Sequence, residues 1–546
     1  MSSTTATSPS RLIDRAVRQA VENIDGWAAA TTVLPAVVVE RTQNPQHGDY
    51  SVTLPLKLAR SLRQPPLVIA ERLAGRLELP DGFAEVAIAA PGFINLRLLP
   101  SWLRAQLVPI KEAGTQWGRS SLGHDIPVQV EFVSSNPTGP LLFSHARGAV
   151  VGDVVARVLE ASRFKVQREY YVNDKGRQIR LFGESLRARI LDEPVPEGGY
   201  QSEYVRDLAQ ELEPRAREMS SSLDPRVLAE LGMEQTMTSI REDLRRLDIK
   251  HDQEFLESSL YDGRWDGETW QELRSKGRVV ERDGAVWFVT GADKDEVLFK
   301  RDGEPTYFAS DILYHRDKLE RRGFQRSIDV WGADHQGQVG RVKQALEVLG
   351  IDPARLQVLL VQLVSVKRGA EAVRMSRRAG VGITLKEMLD EVGPDPVRYF
   401  FLLRSADAHM QFDVDLAKQQ SSDNPVYYAQ YAHARLANVL AFGADAGADA
   451  GVSDLERLDS EWELELMRVM LRWPDVVREA AESLEPHRLA FYTDELAAAI
   501  HRFYKNCRVV TDDRPLTAAR LQLCLAARTT IGNALGLMGV SAPDRM

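Results

Sequence analysis

The 546-residue sequence predicts an α/β protein in which a parallel-sheet domain lies between an N-terminal α+β domain and a C-terminal α-helical bundle. Three observations support this prediction. Apolar strand patterns alternate with helical patterns in the middle of the chain, as in βαβ units. A short region of helix and strand signals precedes them, and helical periodicity dominates from about residue 385 to the end. A chain of this length is too long to fold around a single hydrophobic core, so three or four domains are expected.

Composition indicates an ordinary globular protein, with 44% hydrophobic and 27% charged residues. The only two cysteines, Cys507 and Cys524, provide neither a disulfide framework nor a zinc cluster, so we expect no structural metal and a reducing, cytoplasmic location. No apolar run approaches the roughly 18 residues of a membrane span, and the first ten residues do not resemble a signal peptide. Membrane association is therefore not expected.

The first predicted domain covers residues 1–117. Residues 11–30 and 65–77 have helical patterns, and the β-like segments 85–89 and 91–98 follow them. Helices followed by strands within about 100 residues indicate a small α+β unit.

The second predicted domain covers residues 118–410. It begins with a valine-rich strand over 128–133, a Pro/Gly turn and an apolar helix from His145, and a second strand follows at 165–172. Residues 181–265 are polar and helical without a strand signal, so they are expected to form an insertion. Strand patterns then resume, at 285–289, 296–300, 328–331 and 358–365.

The third predicted domain covers residues 411–546. Leu496, Ile500, Phe503 and Cys507 follow the spacing of one buried helical stripe. The chain carries a net charge of −9, yet residues 501–546 contain seven lysines or arginines against three aspartates. That local excess is compatible with a nucleic-acid partner and equally with a solvated helix face.

The most informative segment is 131–148, where a strand ends in a Pro/Gly turn and a helix begins near His145. Backbone N–H groups at such a helix N-terminus can hold phosphate oxygens. The pattern by itself leaves two alternatives, a nucleotide site and an ordinary βα unit.

Three further segments carry chemistry. Tyr307 and Asp311 lie four residues apart at the start of a predicted helix, hence on one face. Asp334 and His335 follow a strand, at the edge where open α/β sheets bind ligands. Residues 373–380 form a polar loop with three arginines in five positions. Arginine side chains can donate two parallel hydrogen bonds to phosphate oxygens.

Taken together, these segments resemble the bacterial-type arginyl-tRNA synthetases, which are class I synthetases with a Rossmann-like catalytic domain. The resemblance covers nearly the whole chain. It is carried by long strings in the family's order, namely residues 131–148, 170–179, 285–318, 374–377, 424–435, 485–488 and 541–543.

The resemblance implies ATP-dependent activation of L-arginine to arginyl-adenylate, followed by transfer to the terminal ribose of its cognate tRNA. It implies Mg²⁺ with the ATP and arginine binding by Glu131, Ser134, Asn136, Tyr307, Asp311 and Asp334. We expect Asp311 to be the main anchor, because a guanidinium calls for carboxylates and neutral acceptors in its plane. It also implies ATP binding by Pro137, Gly139, His145, Gly148, His335, Val373 and Met375, and catalytic roles for His145, Arg374, Ser376 and Arg377.

Two departures affect the catalytic signatures. The first signature normally has two histidines with a glycine before the second, whereas this chain has Leu142 and Ser144 before His145. Leucine cannot donate to phosphate oxygens, and losing one such donor can cost about 100-fold in rate. In the second signature both lysines are replaced, by Arg374 and Arg377, which keeps the positive charge.

For tRNA, the resemblance implies that the N-terminal domain touches the outer corner of tRNA and that the helical domain reads anticodon bases. The expected contacts in the helical domain are Tyr431, His501, Tyr504, Lys505 and Arg508. We expect a working ligase that acts as a monomer. The alternative is a non-catalytic paralogue that binds RNA or arginine, which Leu142 favours.

Overall fold

The computed structural model describes residues 8–23, 35–291, 295–369, 382–447 and 454–546, together with the backbone of 371–373. The N-terminal part contains α1 (Pro9–Glu22), β1 (Val39–Arg41), β2 (Tyr50–Val52), α2 (Leu54–Leu62), α3 (Pro66–Ala74), β3 (Ala84–Ala89) and β4 (Phe93–Leu98). Its strands form one antiparallel sheet in the order β1–β2–β4–β3, and α3 packs on it. The helices α4 (Pro100–Ala105) and α5 (Leu107–Ala113) lead out of it.

The middle of the chain is built on a five-stranded parallel sheet. The helices and strands of this middle part of the chain are, in order, β5 (Pro127–Glu131), α6 (Phe143–Ala161), β6 (Lys165–Val172), α7 (Gly176–Ile190), α8 (Glu203–Met219), α9 (Pro225–Arg246), β7 (Gln253–Leu256), α10 (Trp265–Ser275), β8 (Val279–Arg282), β9 (Ala285–Phe288), β10 (Glu296–Phe299), α11 (Tyr307–Arg316), β11 (Arg326–Gly332), α12 (Gln336–Val348), β12 (Leu356–Val361), β13 (Val364–Arg368) and β14 (Glu371–Val373). The parallel sheet has the order β12–β11–β5–β6–β7.

The strand order places a ligand crevice at the carboxyl ends of β5 and β11. From β5 the chain adds β6 and β7 on one side and later adds β11 and β12 on the other. The direction of winding therefore reverses between β5 and β11, and such a switch point is where open α/β sheets bind ligands. The apolar helix α6 packs beneath it, with Val150, Val154 and Val158 buried.

The structure corrects four sequence expectations about strands. The expected helical insertion contains β7, a four-residue edge strand with two polar and two apolar residues, which is too short to give an apolar pattern. The two segments near residues 285 and 296 form a separate antiparallel sheet, β10–β9–β8, rather than part of the parallel one. Local periodicity identifies a strand but not the partner with which it pairs.

The expected single strand over 358–365 is two strands, β12 and β13, in different sheets. Gln362 breaks the run, since its N–H donates to the carbonyl of Ala406 (2.9 Å) and its carbonyl accepts from Arg147 Nη1 (3.2 Å). Beyond residue 385 the chain also contains a strand, Met410–Asp413, which pairs in parallel with β13. That pairing spans more than 40 residues, so the local pattern could not indicate it.

The C-terminal part is mainly helical, as expected. After α13 (Leu385–Val392), α14 (Pro394–Phe401), β15 (Met410–Asp413) and α15 (Val414–Lys418), the helices are α16 (Pro425–Asp445), α17 (Glu461–Met470), α18 (Trp473–Ser483), α19 (His487–Asn506) and α20 (Arg514–Leu537). Leu496, Ile500, Phe503 and Cys507 are all buried, so the predicted stripe is confirmed. Within the described ranges, no helix has the length and apolar character that crossing a membrane requires.

Candidate active site

Glu131 is the last residue of β5, and the chain turns sharply after it. Val133 (φ 73°) and Ser134 (φ 40°) both take left-handed backbone conformations, which non-glycine residues rarely adopt outside functional or tightly held turns. Ser134 Oγ donates to Glu131 Oε1 (2.9 Å) and accepts from the N–H of Tyr171 (3.2 Å). These contacts fix the buried carboxylate of Glu131 at the carboxyl end of β5.

The Pro/Gly turn continues from there to the N-terminus of α6. His145 lies in the first turn of that helix, with Nδ1 3.3 Å from Ser135 Oγ, and Asn136 Nδ2 donates to Gln178 Oε1 (2.8 Å). Pro137 and Gly139 lie in the turn. A Cβ added at Gly139 would meet nothing within 4 Å, and one at Gly148 would meet only Val330, at 3.8 Å. The protein packing therefore leaves both glycines room for a ligand.

Leu142 precedes α6 and is tied to the chain that follows the second signature. Its backbone forms an isolated antiparallel bridge with Thr384, Phe143 N–H donates to the carbonyl of Ile383 (2.9 Å), and a Cβ added at Gly382 would lie 3.1 Å from Leu142 Cδ2. The predicted residues of the second signature, Arg374, Met375, Ser376 and Arg377, lie outside the described residues. Val373 ends β14, of which only the backbone is described.

Arg147 anchors the same helix from its buried side. Its guanidinium donates to the carbonyls of Gln362 (3.2 Å), Ser405 (2.7 Å) and Ala408 (2.7 Å). Burial lowers the pKa of Arg147 to about 10. Sequence reasoning missed this residue, because its partners are more than 200 residues away.

Tyr307 and Asp311 begin α11, as predicted, one turn apart. The helix is capped by Thr306, whose Oγ1 accepts from the N–H of Ala309 (3.4 Å). The Tyr307 side chain is exposed, whereas Asp311 is partly enclosed. Burial raises the pKa of Asp311 to about 6, and the nearby carboxylates of Glu131, Asp329 and Glu257 add to this rise against the opposing charge of His315. A cation bound at Asp311 would relieve that cost.

Near Asp311 lies a further acidic residue, Glu257, which the sequence analysis missed. It directly follows β7, the strand hidden within the expected insertion. Its Oε1 accepts from Ser310 Oγ (2.6 Å), and Ser310 Oγ in turn lies 2.8 Å from the hydroxyl of Tyr261. Burial raises the pKa of Glu257.

A buried charge cluster lies next to Asp311. We call Glu131, Lys318, Asp329 and His315 the buried quartet. Lys318 Nζ lies 2.7 Å from Glu131 Oε2 and 3.0 Å from Asp329 Oδ2, and His315 Nε2 lies 2.7 Å from Asp329 Oδ2. The other ring nitrogen of His315 is 2.6 Å from the backbone oxygen of Asp311. The quartet therefore connects the end of β5 to the helix that carries Tyr307 and Asp311.

Carboxylates dominate the surroundings of Asp311. The charges of Glu131 and Glu257 act on it, and the three groups come from separate elements, which are α11, the segment after β7, and β5. We call these three carboxylates, with the nearby Tyr307, the acidic pocket; such a group suits a ligand with two separate cationic groups.

Asp334 and His335 form a short turn between β11 and α12, at the other side of the crevice. Both side chains are largely exposed, and His335 Nδ1 lies 3.0 Å from Gln338 Oε1. The predicted placement after a strand is confirmed. Among the described residues, no group of three or more His, Cys, Asp or Glu side chains could hold a metal ion.

The structure brings three of the five predicted tRNA contacts together through Arg435, a residue that the sequence analysis did not single out. The Arg435 guanidinium lies 4.5 Å from the ring centre of Tyr431 and 4.4 Å from that of Tyr504. Arg435 Nη1 is 3.2 Å from His501 Nδ1, and Tyr431 stacks on His501 at 5.9 Å. We call these four residues the aromatic cluster of α16 and α19. Lys505 and Arg508 are exposed further along the segment that contains Tyr504.

Comparison with known proteins agrees with a chain of three parts, an N-terminal part, a parallel-sheet catalytic part and a helical C-terminal part. Residues 110–398 match the family model of the class I (R) tRNA synthetase catalytic domain, residues 11–98 match the arginyl tRNA synthetase N terminal domain, and residues 429–546 match the DALR anticodon binding domain. Relatives named arginine–tRNA ligase include one from Dehalococcoides mccartyi, 41% identical, and one from Desulforudis audaxviator, 45% identical. Each alignment covers 98% of this chain and 98% of the relative.

The solved structure of Thermus thermophilus arginyl-tRNA synthetase has the same fold. It matches with a TM-score of 0.77 at 22% identity, and the match covers 98% of this chain and all of that one. Because two relatives above 40% identity align over almost the full length and the catalytic model spans more than half of it, the chain belongs to the arginine–tRNA ligase family of class I synthetases.

Proposed function

We propose that this chain joins L-arginine to its cognate tRNA in an ATP-dependent reaction, with the carboxylate-lined pocket between β5 and α11 holding the amino acid. The observation that carries the proposal is that the carboxylates of Glu131 and Asp311 come from different elements, lie close enough for their charges to interact and are linked by the buried quartet. A substrate with an ammonium at one end and a guanidinium at the other needs a carboxylate at both ends.

Arginine is oriented as follows. Asp311 accepts from the guanidinium, and the hydroxyl of Tyr307 lines the same end. Glu131, held by Ser134, accepts from the α-ammonium, and Asn136 donates to the α-carboxylate. Asp334 faces the arginine from the far side of the crevice. This leaves the α-carboxylate directed toward the turn at the N-terminus of α6.

ATP occupies the turn and the helix terminus. Gly139 and Gly148 leave space for the nucleotide, Pro137 shapes the turn, and His335 approaches from β11. Val373 and Met375 contribute from the segment of the second signature. The α-carboxylate attacks the α-phosphorus of ATP, pyrophosphate leaves, and arginyl-adenylate forms. His145 and the second signature, Arg374, Ser376 and Arg377, stabilise the charge on the phosphate oxygens.

In the second half-reaction a hydroxyl of the terminal ribose of tRNA attacks the carbonyl carbon of the adenylate, and AMP leaves. The tRNA is positioned by the helical C-terminal part, where the aromatic cluster of α16 and α19, with Lys505 and Arg508, contacts unpaired bases. Mg²⁺ would be held mainly by the phosphate oxygens of ATP, because this ion commonly binds through substrate phosphates rather than an all-protein cage, and it would neutralise charge on the triphosphate. We further propose that the protein acts as a cytoplasmic monomer.

The altered first signature favours a second candidate, a paralogue that binds RNA or arginine without catalysis. Leu142 offers no donor where the family has a histidine. The acidic pocket and the aromatic cluster favour the catalytic proposal, because a paralogue freed from tRNA charging need not keep both. The relatives reported above are also all named as ligases.

The test is aminoacylation of cognate tRNA by the purified protein with arginine, ATP and Mg²⁺. Formation of arginyl-tRNA supports the proposal, and its absence with tRNA that a known ligase charges would contradict it. Pyrophosphate exchange should be measured with tRNA present, since activation in this family often requires it. An exchange assay without tRNA would not separate the two candidates.

A further inference from the structure

We propose that Lys318 is a positioning residue for the substrate: it keeps the Glu131 carboxylate ionised and aimed at the α-ammonium of arginine. Lys318 itself lies below the pocket and does not touch the substrate. The inference rests on the proposed role of Glu131.

The burial of Lys318 requires a reason. Its side chain is fully buried, and an isolated ammonium in such a place is strongly unfavourable. Its Nζ is held by Glu131 Oε2 (2.7 Å) and by both oxygens of Asp329 (3.1 and 3.0 Å), and it lies 4.0 Å from the ring centre of Tyr314. Burial alone would lower the pKa of Lys318, but the carboxylates of Asp329 and Glu131, with a further contribution from Glu169, outweigh it and raise that pKa, so Lys318 is a cation.

The two carboxylates depend on this cation to different degrees. Asp329 also accepts from Ser327 Oγ (2.7 Å) and contacts His315 Nε2 (2.7 Å), whereas Glu131 receives one further donor, Ser134 Oγ (2.9 Å). Two buried carboxylates that share one cation cannot both stay ionised without it. Glu131, with fewer donors, is the one that would take up a proton.

The pKa directions agree with this difference. Burial opposes ionisation of Asp329, yet Lys318 and His315 outweigh it and lower its pKa. Burial raises the pKa of Glu131 in spite of Lys318. Glu131 is therefore the carboxylate whose charge is most easily lost.

Glu131 retains acceptor capacity for a substrate. A carboxylate has about four lone-pair positions, and Lys318 and Ser134 occupy one position on each oxygen. The remaining positions can accept from an ammonium. Lys318 also follows Asp311 by seven residues, two turns further along α11 and the turn after it. The same segment thus carries Asp311, the proposed partner of the guanidinium, and Lys318, which holds Glu131, the proposed partner of the α-ammonium. It thereby sets the distance between the two groups that bind the ends of the substrate.

The decisive variant is the double substitution Lys318→Met with Asp329→Asn. It removes one positive and one negative charge together, and replacing a buried ion pair by neutral groups of similar volume often leaves stability unchanged. If Lys318 only balances Asp329, this variant should have the wild-type KM for arginine. If Lys318 positions Glu131, the KM for arginine should rise about 10- to 100-fold, the range of one charge-assisted hydrogen bond, with the KM for ATP and tRNA unchanged.

Glu131→Gln separates failure of this inference from failure of the proposed function. An unchanged KM for arginine in Glu131→Gln would remove the role of Glu131 and the inference with it. A raised KM in Glu131→Gln together with a wild-type KM in the double variant would overturn the inference alone. The matched control is Arg520→Met with Glu463→Gln, which neutralises another buried pair (2.7 Å) in the helical C-terminal part. It should leave the KM for arginine unchanged.

A pH profile gives a second readout that a purely structural role would not move. In the single variant Lys318→Met, Glu131 has lost its cation and its pKa rises further. The KM for arginine should then fall as the pH is raised from 6 to 9, and the wild type should not show this change. Should both methionine variants fail to fold, Lys318→Ala assayed with added propylammonium replaces them. Restoration of a low KM by the amine supports the inference, and a soluble Lys318→Ala protein with a wild-type KM and no response to amine contradicts it.

Discussion

The backbone of Leu142 is paired with that of Thr384, so the altered first signature is joined directly to the segment that follows the second one. The N–H of Phe143 donates to the carbonyl of Ile383 (2.9 Å), which extends this contact by one residue. Backbone atoms make the connection, and it does not require a particular side chain at position 142. The side chain there could change to leucine without separating the two signatures.

The first prediction concerns Leu142→His. Restoring a donor to the site of phosphate charge should raise the kcat of arginine activation, by up to about 100-fold, and leave the KM for arginine unchanged. The measurement is pyrophosphate exchange in the presence of tRNA. Leu142→Met, which keeps the apolar volume without a donor, is the matched control and should show no gain. An unaltered kcat in Leu142→His would mean that another group already supplies the missing stabilisation.

The second prediction concerns the pH dependence of arginine binding. The pKa of Asp311 is about 6 in the free protein, and a bound guanidinium would lower it. Below pH 6 the carboxyl is protonated before the substrate arrives, so affinity for arginine should fall about tenfold per pH unit there and stay level above it.

Calorimetric titration with arginine between pH 5 and 8 checks this. Asp311→Asn should weaken binding about 10- to 100-fold and remove the fall in affinity near pH 6 that Asp311 causes, because position 311 then has no carboxyl to titrate. Asp302→Asn, in the exposed turn before α11, is the control. A persisting pH dependence in Asp311→Asn would assign the titration to another group.

The third prediction concerns the junction around Arg398, which joins three parts of the chain. Its fully buried guanidinium donates to the carbonyls of Met538 (2.7 Å) and Leu247 and to the carboxylate of Asp153 on α6. Arg398→Met should lower the free energy of unfolding by about 3–5 kcal/mol, because Asp153 is left as a buried charge with fewer partners. Urea denaturation followed by tryptophan fluorescence measures it. Arg404→Met, at an exposed position nearby, should change stability by no more than about 0.5 kcal/mol.

The fourth prediction concerns the aromatic cluster of α16 and α19. Tyr431→Ala should raise the KM for tRNA about 5- to 150-fold, which corresponds to the loss of one base stacked on an aromatic ring. The KM for arginine and ATP should not change. Phe442→Ala, which removes an exposed aromatic side chain from the same helix, is the control. Equal effects of both substitutions on the KM for tRNA would place the RNA elsewhere.

Local sequence patterns predicted the elements whose residues carry their own periodicity. β6 has the predicted bounds, α6 begins within two residues of His145, and Tyr307 and Asp311 lie on one helix as their spacing required. The apolar stripe that ends at Cys507 is buried. In each of these the side-chain period matches the period of the backbone, so local residues suffice.

Elements that depend on distant partners were missed. β7 and β15 have four residues each, and only their pairing with β6 and β13 makes them strands. Glu257 was hidden because it follows β7. In the aromatic cluster of α16 and α19, Arg435 was missed because its contacts with Tyr504 and His501 form only when α19 packs against α16.

The sequence by itself determined the family, the order of its three parts and most residues proposed for the substrate pocket, because motifs and periodicity are local properties of the chain. The tertiary structure decided how those residues are charged and held. Lys318 and Glu131 are 187 residues apart, and only folding brings the Nζ within 2.7 Å of the carboxylate and buries both side chains. Electrostatic energy depends on distance and burial, and neither can be read from spacing along the chain.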